Sequence, residues 1–66
     1  MLPFHKWFRQ QVESSGRQKQ EIAAELGVTP PMLSRLMSGD RKPPIKRLKD
    51  IAKTFDVDVS EILRRL

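Results

Sequence analysis

Apolar residues in this chain recur at intervals of three and four, and short polar or glycine-containing breaks divide them into segments of helical length. Phe4, Phe8 and Val12, with Trp7 beside them, predict a first helix from about residue 3 to residue 14, where Ser14, Ser15 and Gly16 interrupt the pattern. Pro3 suits its first turn. Ile22, Ala23 and Leu26 line one face of a short second helix that stops at Gly27, a residue free to take the left-handed conformation that ends helices. Leu33, Leu36 and Met37 repeat the pattern in a third helix, which stops at Ser38 and Gly39. After the turn "SGDRKPP", a fourth stripe runs through Ile45, Leu48, Ile51, Ala52 and Phe55. Ser60 is placed to cap a short fifth helix holding Ile62, Leu63 and Leu66. Only "DVDVS" alternates like a strand, and it is short and lies between helices. The pattern predicts an all-α, five-helix fold in one small domain spanning residues 1–66.

The third helix opens unusually, on "TPPM". The first amides of any helix lack an intrahelical acceptor, so Pro30 at the first helical position and Pro31 after it forfeit little. The hydroxyl of Thr29 is then expected to cap the one early amide left within its reach, that of Met32. Met32 itself is expected to be exposed on this first turn.

Charge narrows the class of partner. Thirteen Lys and Arg oppose eight Asp and Glu, a formal charge of +5. From Arg35 to Lys49 the basic residues are Arg35, Arg41, Lys42, Lys46, Arg47 and Lys49, against Asp40 alone. A positive field concentrated in the middle of the chain favours a polyanionic partner. The chain has no cysteine, so neither a disulfide nor a thiolate metal site supports the fold, and a cytoplasmic setting is expected. His5 stands alone, which points to surface or helix packing rather than to a metal. Trp7, at helical spacing beside Phe4 and Phe8, is expected in the core or at a partner interface. No nucleophile–base pair, paired carboxylates or phosphate-cradling glycine loop stands out, so the pattern predicts neither an enzyme nor a cofactor. No apolar run is long enough for a membrane span or a signal peptide.

A short helix, a turn containing glycine and a second short helix form the helix-turn-helix unit, whose second helix can enter a DNA major groove. The run "KQEIAAELGVTPPMLSRLMSG", followed by "RKP" and "LKDIAKTFDV", resembles the lambda-repressor-like helix-turn-helix family, the Cro and XRE type of phage and bacterial regulators. Ile22, Ala23, Leu26, Gly27, Val28, Thr29, Leu33, Ser34, Leu36, Gly39, Pro43, Ala52 and Val57 fall at the family's spacing, and the resemblance covers about residues 16 to 63. It implies double-stranded DNA as partner and transcriptional regulation, more often repression, in a prokaryotic nucleoid. Base contacts are implied for Arg35, Ser34, Pro31 and Pro30. Phosphate contacts are implied for Lys19, Gln18, Ser38, Arg41, Lys42 and Lys46.

Regulators of this kind commonly bind inverted half-sites as homodimers. Here Ile62, Leu63 and Leu66 are the expected dimer surface. The alternative is a protein-binding adaptor or antitoxin that presents Ile62, Leu63, Leu66 and Trp7 to another protein. The chain also departs from the family pattern. Lys19 stands where glutamine is usual, and Val12 and Met37 stand where an arginine and a glutamate commonly pair. Replacing both partners of a buried pair by apolar groups strands no charge, so Val12 and Met37 are expected to meet in the core.

Overall fold

The computed structural model describes residues 1–66 and is entirely helical. Five α-helices follow in order, α1 (Phe4–Ser14), α2 (Lys19–Leu26), α3 (Pro30–Ser38), α4 (Leu48–Phe55) and α5 (Val59–Leu63), with a single 3-10 turn at Ile45–Arg47 before α4. The helix starting near Pro3 is thus present, with Pro3 in extended conformation just outside it. Gly27 ends α2 at φ 71°, in the left-handed conformation predicted for it.

Fourteen buried apolar side chains form one cluster, and no polar or charged residue is buried with them. Phe8 is its aromatic centre: Phe4 stacks on it at 5.2 Å between centroids, and Phe55 meets it edge-on at 5.7 Å. Helix α1 packs along α3, while α2 lies against both α3 and α4. Val12 and Met37 are both buried in this cluster, on α1 and α3 respectively, and neither leaves a charge behind. Ala23 is fully buried where α2 meets its neighbours, and its small side chain allows that approach. Trp7 is buried too, with the Arg65 guanidinium 5.3 Å from its ring centroid.

Four expectations need correction. Ile45 does not continue the α4 stripe: it falls in the 3-10 turn outside the packed span and is 85% exposed. The fifth helix is capped by Asp58 rather than Ser60, because the chain enters the helix two residues earlier than expected, at Val59. The Asp58 carboxylate accepts both the Ser60 amide at 3.0 Å and the Ser60 hydroxyl at 3.1 Å. Ile62 is fully buried within the protomer's own core, so it is not available as a dimer contact; Leu63 and Leu66 remain about half exposed. Met32 is half-buried against the core rather than exposed, because the first turn of α3 lies close over the cluster. The stretch containing "DVDVS" is a helix-to-helix connection: Asp56 takes φ 55° as the α4 cap, and the Val57 amide bonds back to the Ala52 carbonyl at 2.9 Å.

Ion pairs and caps add local ties. Glu25 accepts from Arg17 in the turn before α2 and, at 3.1 Å, from the Thr54 hydroxyl on α4. The Arg17 hydrogen bond, followed by that of Thr54, holds the Glu25 carboxyl below its usual range. At Asp58 the Ser60 amide does the same, followed by the Ser60 hydroxyl.

Two predictions follow from this packing. Ile62→Ala should lower unfolding free energy by about 2–5 kcal/mol and Leu63→Ala by less than about 0.5 kcal/mol in urea titrations. Equal losses would place Ile62 wrongly. Both lowered carboxyl pKa values mean that the native state holds its negative charges more readily than the unfolded chain does. Their stabilisation is therefore complete above the ordinary value of 4.5 for Glu25 and 3.8 for Asp58, and is lost as pH falls through the lowered values. The urea midpoint should drop as pH falls below about 4.5, and should drop less in a Glu25→Gln/Asp58→Asn variant.

Candidate nucleic-acid interface

Helix α3 holds to the core by Leu33, Leu36 and Met37, all buried, and turns Pro30, Pro31, Ser34, Arg35 and Ser38 outward. Both of its ends are secured. At the start, Pro30 and Pro31 occupy the first two helical positions, and Thr29 Oγ1 accepts the Met32 amide at 3.3 Å. At the end, Gly39 adopts φ 88°, its amide bonds to the Arg35 carbonyl at 3.1 Å, and the Ser38 hydroxyl donates to the same carbonyl at 3.1 Å.

A further tie comes from α1. Arg9 Nη2 and Nε donate to the Met37 carbonyl at 3.2 and 3.4 Å. A cation at the carboxyl end of a helix satisfies an orphan carbonyl and complements the helix dipole. Arg9 lies three residues before Val12, one turn earlier on α1. An arginine thus still links α1 to α3, through a backbone carbonyl rather than through a carboxylate at Met37. Nothing in local spacing pointed to Arg9. The only signal was a basic residue one turn from a position where an arginine was expected.

The outward face is electrostatically bare. The molecule's ion pairs are Arg17–Glu25, Arg47–Asp50 and Arg65–Glu61, so Lys19, Arg35, Arg41, Lys42 and Lys46 carry no carboxylate partner. All five are exposed. Lys19, Ser34 and Ser38 gather around one shallow depression between α1, the start of α2 and α3, together with Arg9 and Glu13. Gln18 precedes α2 in extended conformation, and its side-chain carbonyl accepts from Gln20 at 3.1 Å. Arg41 and Lys42 do not share that depression; they line a second cleft, beside the start of α1. Lys46 stands in the 3-10 turn after them. His5 packs its ring against Gly39, as a helix-packing histidine would.

Residues 8–62 match a family model described as helix-turn-helix. The chain belongs to the lambda-repressor-like helix-turn-helix family. No curated protein matches it. Family membership over most of the chain makes it a DNA-binding helix-turn-helix regulator, with α2 and α3 as the motif helices. Pro30, Pro31, Ser34 and Arg35, the positions the resemblance implies for base contact, are all exposed, as is Ser38. No helix is long and apolar enough to cross a membrane.

Removing the Arg9 tie tests its part in seating α3. Arg9→Ala should cost about 1 kcal/mol of unfolding free energy, the scale of one partly exposed hydrogen bond, and should speed amide exchange in the last turn of α3. Unchanged stability and unchanged exchange there would show that Arg9 is a bystander.

Proposed function

We propose that this chain is a sequence-specific transcriptional repressor that lays α3 in the major groove of double-stranded DNA. The observation that carries the reading is Arg35: it stands on the outer face of α3, exposed and without a carboxylate partner. An arginine there can bond both acceptors of a guanine, a discrimination of about 1–3 kcal/mol. Ser34 lies beside it. Pro30 and Pro31 carry no polar side-chain group, so direct readout falls to Arg35 and Ser34, and the prolines offer apolar contact to a thymine methyl.

Lys19, Gln18, Ser38, Arg41, Lys42 and Lys46 are assigned to the phosphates. Phosphate contacts position the protein and make its affinity depend steeply on salt. One motif spans only a few base pairs, so the proposal includes a homodimer on inverted half-sites, joined through Leu63 and Leu66 without Ile62. Its setting would be the prokaryotic nucleoid, where occupying an operator excludes other proteins from it. The adaptor or antitoxin alternative loses two of its four anchors, because Trp7 and Ile62 are buried within the protomer.

Selection of bound duplexes from a random pool at near-physiological salt tests this reading. The native protein should enrich a motif containing a guanine, Arg35→Ala should lose that preference, and Pro31→Gln should change a neighbouring thymine position. No enrichment by the native protein would defeat the regulator assignment. An affinity indifferent to added salt would defeat the phosphate assignments.

A further inference from the structure

Each motif helix ends beside a guanidinium that comes from another element. At the end of α3 it is Arg9, on the Met37 carbonyl. At the end of α2 it is Arg47: a Cβ on Gly27, the α2 cap, would stand 2.8 Å from Arg47 Nη1, 3.2 Å from its Cζ and 3.4 Å from its Nη2. The guanidinium thus lies directly against the Gly27 backbone, in space that any other side chain at that position would enter. Glycine is needed there twice, for the left-handed cap at φ 71° and for this contact. The last turn of α2 contains no basic residue of its own, so Arg47 also supplies the cation that complements the dipole of that helix.

Arg47 is the last residue of the 3-10 turn Ile45–Arg47. The turn closes on itself: the Arg47 amide donates to the Pro44 carbonyl at 2.9 Å, and the Leu48 amide to the Ile45 carbonyl. Ile45 and Lys46 are exposed, and Arg47 alone of the three is not. Its carboxylate partner, Asp50 at 3.5 Å, lies one turn further along on α4. The side chain that reaches from the turn to the bend between α2 and α3 is therefore Arg47.

We propose that Arg47 is a positioning residue. Seated on Gly27, it fixes where its neighbour Lys46 stands relative to α3, and so brings Lys46 onto a DNA phosphate when α3 lies in the groove. Arg47 itself stays off the strand, its guanidinium committed between Gly27 and Asp50. A contact residue held in place before binding loses less freedom on binding. The inference rests on the DNA-binding reading above and adds to it a cation that acts through another.

The test measures the affinity of the whole chain for a selected duplex across a sodium chloride series. Lys46→Ala should flatten the slope of log affinity against log salt by about 0.9, the share of one phosphate. Arg47→Ala should flatten it by the same amount, and adding it to Lys46→Ala should flatten it no further. Gly27→Asn keeps every charge and tolerates a left-handed backbone, but it fills the space that the guanidinium occupies. It should flatten the slope likewise, and again not beyond Lys46→Ala. In urea, Gly27→Asn should lower the midpoint less in the Arg47→Ala background than in the native protein. A full further step in slope in the Arg47→Ala/Lys46→Ala protein would make Arg47 a phosphate contact and overturn the proposal. So would a native slope and affinity in Arg47→Ala, or equal midpoint losses for Gly27→Asn in both backgrounds. Failure of the native protein to bind any duplex would instead defeat the regulator assignment, and the positioning role with it.

Discussion

Everything in this molecule depends on how a nine-residue helix is held by one face. Leu33, Leu36 and Met37 of α3 enter the core, where α1 packs along them, Met32 rests partly against it, and the remaining residues of the helix face outward. Helices this short are not stable alone in water, so packing supplies their order. The Phe4, Phe8 and Phe55 aromatic group serves that end by fixing α1 against α4, and Ala23 lets α2 lie close. A surface held this way is only as rigid as the core beneath it.

The ends of α3 add a second layer of control. Two prolines remove amides that would otherwise need partners, and Thr29 satisfies the next one. At the other end Gly39, Ser38 and Arg9 account for the Arg35 and Met37 carbonyls. Arg9 also shows how an apolar substitution at two positions is accommodated. Val12 and Met37 fill the core without an ion pair, and the link between α1 and α3 passes to a backbone acceptor that no side-chain change can remove.

The four longer helices and both glycine caps were legible because three or more apolar positions define a face, and a left-handed cap favours glycine. Ile62 was misread for the opposite reason. A helix of five residues with Ile62 and Leu63 adjacent leaves its inner face undetermined by spacing, and only packing against α4 decides it. Asp58 and Ser60 are both competent caps, so the start of α5 rested on where the chain turns. Ile45 carried the right residue type at a helical interval, but the 3-10 turn placed it outside the core. Of the site residues, those of α3 could be placed from its buried stripe alone. The separation of Arg41 and Lys42 from the Lys19, Ser34 and Ser38 depression depended on tertiary contacts between α1 and the loop, which leave no mark in local sequence.

The proposed function puts DNA on the outer face of α3. Amide and arginine side-chain resonances recorded while a selected duplex is added test it most directly. The Ser34 amide and the Arg35 Nε resonance should shift most, with Lys19 and Ser38 next, while Ile51 in the core should stay near its free position. Shifts centred on Leu63 and Leu66, with Ser34 and Arg35 unmoved, would contradict it.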